Sequence, residues 1–130
     1  MTEVAPDYLV DIMISQKNFS AFRIAASNGH ISVMERLVEL KPHSVSHMIS
    51  GGSYSAFRGA ASSAHMDVIE RLMKMAPNDI VKMIEANDHN GPYGTFRQTT
   101  ENGHLPVIKR LIEKLTELAP EKIYPMISAR

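Results

Sequence analysis

The chain has 130 residues, enough for one domain with a buried core. Lys+Arg and Asp+Glu balance at 14 each, so it lacks the basic surplus that a general nucleic-acid binder sets against phosphate. There is no Cys, which excludes a disulfide framework and fits a reducing, cytoplasmic compartment.

The first residues, MTEVAPDYLVDIMIS, have no basic n-region and no long apolar run, so no signal peptide is expected. No apolar run reaches bilayer length, and no membrane partner is expected. In residues 1–19, Ala5-Pro6 precedes Leu9, Val10, Ile12 and Met13. Pro suits a first helical position, where a missing N–H costs nothing, and the apolar spacing that follows gives one buried stripe. The segment reads as a half unit capping the N-terminal end of a stack.

The stack follows from self-similarity. SAFRIAASNGHISVMERLVEL, starting at Ser20, returns as SAFRGAASSAHMDVIERLMKM at Ser55 and as GTFRQTTENGHLPVIKRLIEKLTEL at Gly94. Each copy runs Phe-Arg, then His eight residues after the Phe, then Val three later: Phe22, His30, Val33; Phe57, His65, Val68; Phe96, His104, Val107. Such a period predicts an all-α solenoid. We divide it as 1–19 (cap), 20–54, 55–93 and 94–130 (third repeat with C-terminal cap).

Within each unit a short apolar first helix is expected, ended at Asn28-Gly29 and Asn102-Gly103, where Gly accepts a left-handed backbone. Copy two has Ala64 at the Gly place: either it is left-handed, at a cost on the order of 1 kcal/mol, or the turn there is rearranged. A second helix follows, with Ser32, Asp67 and Pro106 at its start. Its expected core stripe is Val33, Leu37, Leu40; Val68, Leu72, Met75; and Val107, Leu111, Leu115, Leu118. Glu35, Arg36, Glu39, Glu70, Arg71 and Lys74 are expected on the wet face. A short third helix follows Pro42, Pro77 and Pro120. Two insertions of four residues are legible, one in Asn87–Pro92 and one of about a helical turn between Ile112 and Pro120.

The repeat core resembles the ankyrin repeat, whose pattern runs Thr-Pro-Leu-His-x-Ala-Ala-x-x-Gly-His-x-x-Val-Val-x-x-Leu-Leu. Ser20 to His30 lies over its first eleven positions, and Val33, Leu37 and Val38 lie over later ones. Copy two matches with Ala60, Ala61 and His65, and copy three with Gly103, His104, Val107, Leu111 and Ile112. Arg stands at the family's first His, Thr99-Thr100 replaces the Ala pair in copy three, and the Pro-led helix replaces the β-hairpin segment. The chain is thus similar to divergent ankyrin variants of intracellular bacteria, secreted effectors included.

The resemblance implies a non-catalytic module that binds another protein. Partner-facing positions transfer to Phe19, Ser27 and Asn28; Tyr54, Ser62 and Ser63; Tyr93, Glu101 and Asn102. Phe19, Tyr54 and Tyr93 form an aromatic ladder, read as interface anchors or, ring by ring, as wedges between repeats. The other six read as a binding edge. Arg23, Arg58 and Arg97 read as donors to carbonyls or carboxylates of the neighbouring unit rather than as a basic strip for an acidic or phosphorylated partner, and His30, His65 and His104 as fasteners of the inter-helix turns. These three His are too far apart for one metal ion, and His43/His47 lack a third ligand, so no metal and no cofactor are assigned. The alternatives are a homodimer through the terminal repeat and, remotely, an enzyme using His43 or His89 beside a perturbed carboxylate.

Overall fold

The computed structural model describes residues 19–128. The expected N-terminal half unit, apart from Phe19, therefore lies outside the described residues, as do Ala129 and Arg130. Among the described residues there is no strand, only an isolated bridge between Asp88 and Gly91.

The elements are α1 (residues 19–27), α2 (Ile31–Leu40), α3 (Val45–Ser62), α4 (Met66–Met75), α5 (Ile80–Glu85), α6 (Gly94–Glu101), α7 (Leu105–Leu118) and α8 (Ile123–Ser128). Pro42, Pro77 and Pro120 each open a one-turn 3-10 helix that runs on into the third helix of its unit. The α3 helix is continuous in name only. Gly51 is extended (φ −57°, ψ 140°), and Gly52, Ser53 and Tyr54 are all left-handed, so a third helix and a first helix meet across a sharp break. One unit later the same break separates α5 from α6. Ala86 repeats the Gly51 conformation (φ −57°, ψ 143°) and Tyr93 that of Tyr54 (φ 59°). Two residues lie between these landmarks in the first case and six in the second, which places the expected four-residue insertion at 87–92.

The helices stack as the repeat requires. The α3 helix packs on α4 and α6, and α5 on α6 and α7. Phe22, Met34, Met48, Phe57, Ile69, Leu72, Met83, Ile84, Leu111, Leu115 and Met126 are fully buried in one cluster. Met is unbranched and fills the irregular gaps between layers. Met66 and Met75 pack at the margin of this core.

Three local expectations are corrected. Val33 is 48% exposed and Leu40 is also exposed, and Met34 is the buried residue of α2. Val68 and Val107, the equivalents of Val33, are buried. Leu118 is exposed too, beyond the buried Leu115 that fills the extra turn of α7. Ser32 and Asp67 are not caps but stand at the second helical position, and the N-cap residues are His30, His65 and His104, with φ near −88°, −86° and −85°; Pro106 lies in the first turn of α7, as expected.

Each of these His follows a left-handed residue: Gly29 (φ 75°), Ala64 (φ 62°) and Gly103 (φ 71°). A Cβ on Gly29 would lie 2.7 Å from the His65 ring, so there both space and backbone exclude a side chain. Ala64 carries the left-handed strain that its position implies. Ala64→Gly should raise stability by about 0.5–1 kcal/mol, the relief of strain less the entropy gained by the unfolded chain. This is read as a higher urea midpoint at unchanged m-value. A lower midpoint would show that the turn is held by contacts of the Ala methyl.

Candidate functional site

The nine candidate residues divide between the two ends of the first helices. Phe19, Tyr54 and Tyr93 stand at the heads of these helices. Ser27, Asn28, Ser62, Ser63, Glu101 and Asn102 stand at their ends, about 12 Å away at 1.5 Å per residue.

At the head of each helix the aromatic residue has positive φ: Phe19 63°, Tyr54 60°, Tyr93 59°. Two of these rings meet the Pro-led segment of the unit that follows. Phe19 stacks on His47 at 6.5 Å between centroids, with the planes 10° apart. The Tyr54 hydroxyl donates to Asp79 Oδ2 at 3.1 Å, and burial together with this bond pushes its phenol up to about 12. Tyr93 is buried in the core, and burial raises its phenol as well. The rings therefore pack, with Tyr93 withdrawn from solvent.

The Arg ladder explains how the left-handed turn is held. Arg58 Nε donates to the Ser53 carbonyl at 2.9 Å, and its Nη2 donates to that of Gly52 at 2.6 Å. Arg97 Nη2 reaches the carbonyls of Gly91 (2.9 Å) and Pro92 (3.1 Å) and Asp88 Oδ1 (2.7 Å). Arg23 Nη1 donates to Ser55 Oγ at 3.2 Å. A planar fork of donors suits converging carbonyls better than a Lys point charge does.

Asp88, which the sequence did not single out, is the hub of the inserted loop. Its side chain is 4% exposed. Besides Arg97, Oδ1 accepts from the Asn90 backbone N–H at 2.8 Å, and Oδ2 accepts from Gln98 Nε2 at 3.0 Å. Burial alone would raise its pKa. The bond and charge of Arg97, the Asn90 N–H and Gln98 outweigh burial and hold it below 3.8. His89 lies beside it in a groove of about 310 Å³ with Arg58 and Ser53. A carboxylate engaged at both oxygens and held below its ordinary value braces the loop rather than moving protons. His43 is exposed, and His47 faces Phe19. Among the described residues no three metal-ligating side chains cluster.

At the other end the turns form a row. Asn28, Ser63, Glu101 and Asn102 are exposed, and Ser27 and Ser62 are half-buried. Part of this edge fastens the stack. Asn102 Nδ2 donates to the Ser62 carbonyl at 3.0 Å, and His104 Nε2 lies 3.0 Å from the same oxygen. Asn28 Nδ2 bonds the Ile24 carbonyl of its own helix. Gly59 lets the first helices of copies one and two approach, since a Cβ there would meet Ser27. Beside this row opens a groove of about 400 Å³ lined by Ser20, Arg23, Ile24, Ser27, Asn28 and Ser55, with Ile24 59% exposed. Its signal in the sequence was the apolar Ile24 at the position of Gly59 and Gln98.

On the outer helices, charges expected in water tie the repeats together. Glu35 pairs with Arg71. Glu70 receives Arg110 through both oxygens, at 2.6 and 3.0 Å, and this pairing raises the pKa of Arg110. The Glu-Arg dipeptide at one phase of copies one and two was the available signal.

These features define a class: a helical-repeat solenoid with a polar turn edge and an open groove on its first-helix face. No family model and no curated protein matches the chain. Among solved structures it is similar to an ankyrin repeat family protein from Legionella pneumophila, with 40% identity and a TM-score of 0.72 over 78% of this chain. The match covers 29% of that protein. The chain is a divergent ankyrin-repeat protein. Among the described residues no helix is long and apolar enough to cross a membrane.

The brace makes a graded prediction. Arg58→Ala should cost about 1–2 kcal/mol, since water can reach the carbonyls it leaves. Arg97→Ala strands an enclosed carboxylate and should cost about 3–5 kcal/mol in urea unfolding. Because the folded pKa of Asp88 is depressed, its contribution is present above the ordinary 3.8 and is lost as pH falls through the lower folded value. Asp88→Asn should therefore flatten the stability profile below about pH 4. Equal costs for the two Arg variants, or an unchanged acid limb, would remove Asp88 from this role.

Proposed function

We propose that the protein is a non-catalytic interaction module that takes another protein on its first-helix face and adjoining turns. Ankyrin repeats generally bind proteins, and their fold is typically non-catalytic. The observation that carries the reading is the groove at Ile24. A large apolar side chain stands exposed between Arg23, Ser27 and Asn28, giving an apolar seat with a polar rim, the usual anatomy of an interface anchor. Ser63, Glu101 and Asn102 continue the polar rim along the stack. The ring ladder serves this surface indirectly, by setting the spacing of the units. A chain without Cys suits a cytosolic location. A homodimer through the terminal repeat is the second reading, and it rests on the exposed Tyr124 and Ile127.

A photo-crosslinking residue at Ile24 should capture a protein from lysate. The same residue at Thr116, on the exposed side of α7, should not. Ile24→Asp should abolish competition with that capture while shifting stability by less than about 0.5 kcal/mol, as for other surface changes. Capture from Thr116 and not from Ile24 would move the site to the outer helices.

A further inference from the structure

The left-handed turn at Gly52 and the inserted loop flank a groove of about 310 Å³, lined by Gly52, Ser53, Arg58, Asn87, Asp88 and His89. It lies inside the stack, between copies two and three. Asn87, His89 and Ser53 stand exposed on its rim.

Its charges do not balance. Arg97 holds Asp88 Oδ1 at 2.7 Å, and the Asn90 N–H and Gln98 occupy the rest of that carboxylate. Arg58 is the equivalent of Arg97 one copy earlier. It bonds two carbonyls and no carboxylate, and its Nη1 makes no bond among the described residues. Burial lowers the pKa of Arg58, Asp88 raises it and Arg23 lowers it again. One carboxylate thus serves two guanidinium groups and is committed to Arg97. A single positive charge is left over at the groove. One further carboxylate balances it, whereas a phosphate, close to a dianion at pH 7, adds surplus negative charge beside Asp88.

The groove adjoins the apolar seat at Ile24. A Cβ on Gly52 would lie 3.1 Å from Arg23 Nη1 and 3.0 Å from Ser55 Oγ. Arg23 and Ser55 line the Ile24 groove, so the Gly52 turn is a wall of both.

We propose that this second groove takes an Asp or Glu side chain of the protein seated on the first-helix face, with its carboxylate on Arg58 Nη1 and a neighbouring apolar side chain at Ile24. The proposal rests on the reading that a protein occupies the Ile24 groove. It adds the chemistry of that protein: an apolar residue and an acid at a fixed separation.

The probe is a displayed library of random short peptides selected on the full chain. Selected peptides should share an apolar residue and a carboxylate at constant spacing. Changing that carboxylate to its amide should weaken binding about fivefold, the scale of a half-exposed ion pair. Arg58→Gln removes a brace as well as a charge, so the deciding variants leave Arg58 in place. Asn87→Asp and His89→Glu should each turn the preference from Asp and Glu to Lys and Arg, and Thr116→Asp on α7 should not. Peptides that need Ile24 but show no preference for an acid overturn the proposal and leave the Ile24 reading standing. Peptides that keep the acid preference and ignore Ile24→Asp support this groove and overturn that of Ile24. An acid preference untouched by Asn87→Asp and His89→Glu, or reversed equally by Thr116→Asp, overturns the proposal. Tighter binding of a phosphoserine form than of the Glu form gives the groove to phosphate and overturns it too. A selection that yields no binder overturns both readings.

Discussion

The architecture depends on one constraint: the chain must enter each first helix through a left-handed residue that is not Gly. Phe19, Tyr54 and Tyr93 all take this conformation, and Ser53 joins Tyr54 in it. Each such residue costs about 1–2 kcal/mol for an L side chain. What offsets the cost lies four residues downstream, where the Arg fork gathers the carbonyls that the turn leaves without helical partners. From this turn the Phe19 and Tyr54 rings reach the next Pro-led segment, at His47 and Asp79. The Pro-led third helix, the Arg in place of the family's His and the aromatic before each first helix are thus three parts of one device.

The two faces of the stack are built with different chemistry. The outer helices are cross-linked by carboxylate–guanidinium pairs between neighbouring units. The turn edge is fastened by His and Asn reaching a neighbour's carbonyl. Both fastenings act between nearest neighbours, as solenoids require. Equivalent residues differ in exposure along the stack: Val33 is exposed where Val68 and Val107 are buried, and Ile127 is exposed where Ile49 and Ile84 are buried.

The inserted loop shows how a repeat tolerates extra length. The six residues at 87–92 would leave polar backbone poorly satisfied beside the core. Asp88 prevents this by accepting from a backbone N–H, an Arg and a Gln at once. Gly94 is part of the arrangement, because a Cβ there would lie 2.6 Å from the Asp88 carboxyl carbon. The four extra residues of α7 needed no such device, since a helix extends by a turn without losing hydrogen bonds and Leu115 supplies the buried contact.

Much of this was legible in the chain by itself. Period, helix identity, the break at Gly29 and Gly103 and the position of both insertions all follow from local propensity and from the same pattern recurring in phase. Only the tertiary structure decided the rest, because it depends on neighbours along the stack. Val33 and Val68 occupy the same place in the repeat, yet one is exposed and the other fully buried. Asp88 looks like one polar residue in a turn until Arg97 and Gln98 fold back onto it. Glu35 and Arg71 look solvated until the stack brings residues 36 positions apart into contact. Local sequence determined what each unit is. Contact between units determined which side chains hold the stack and which are left for a partner.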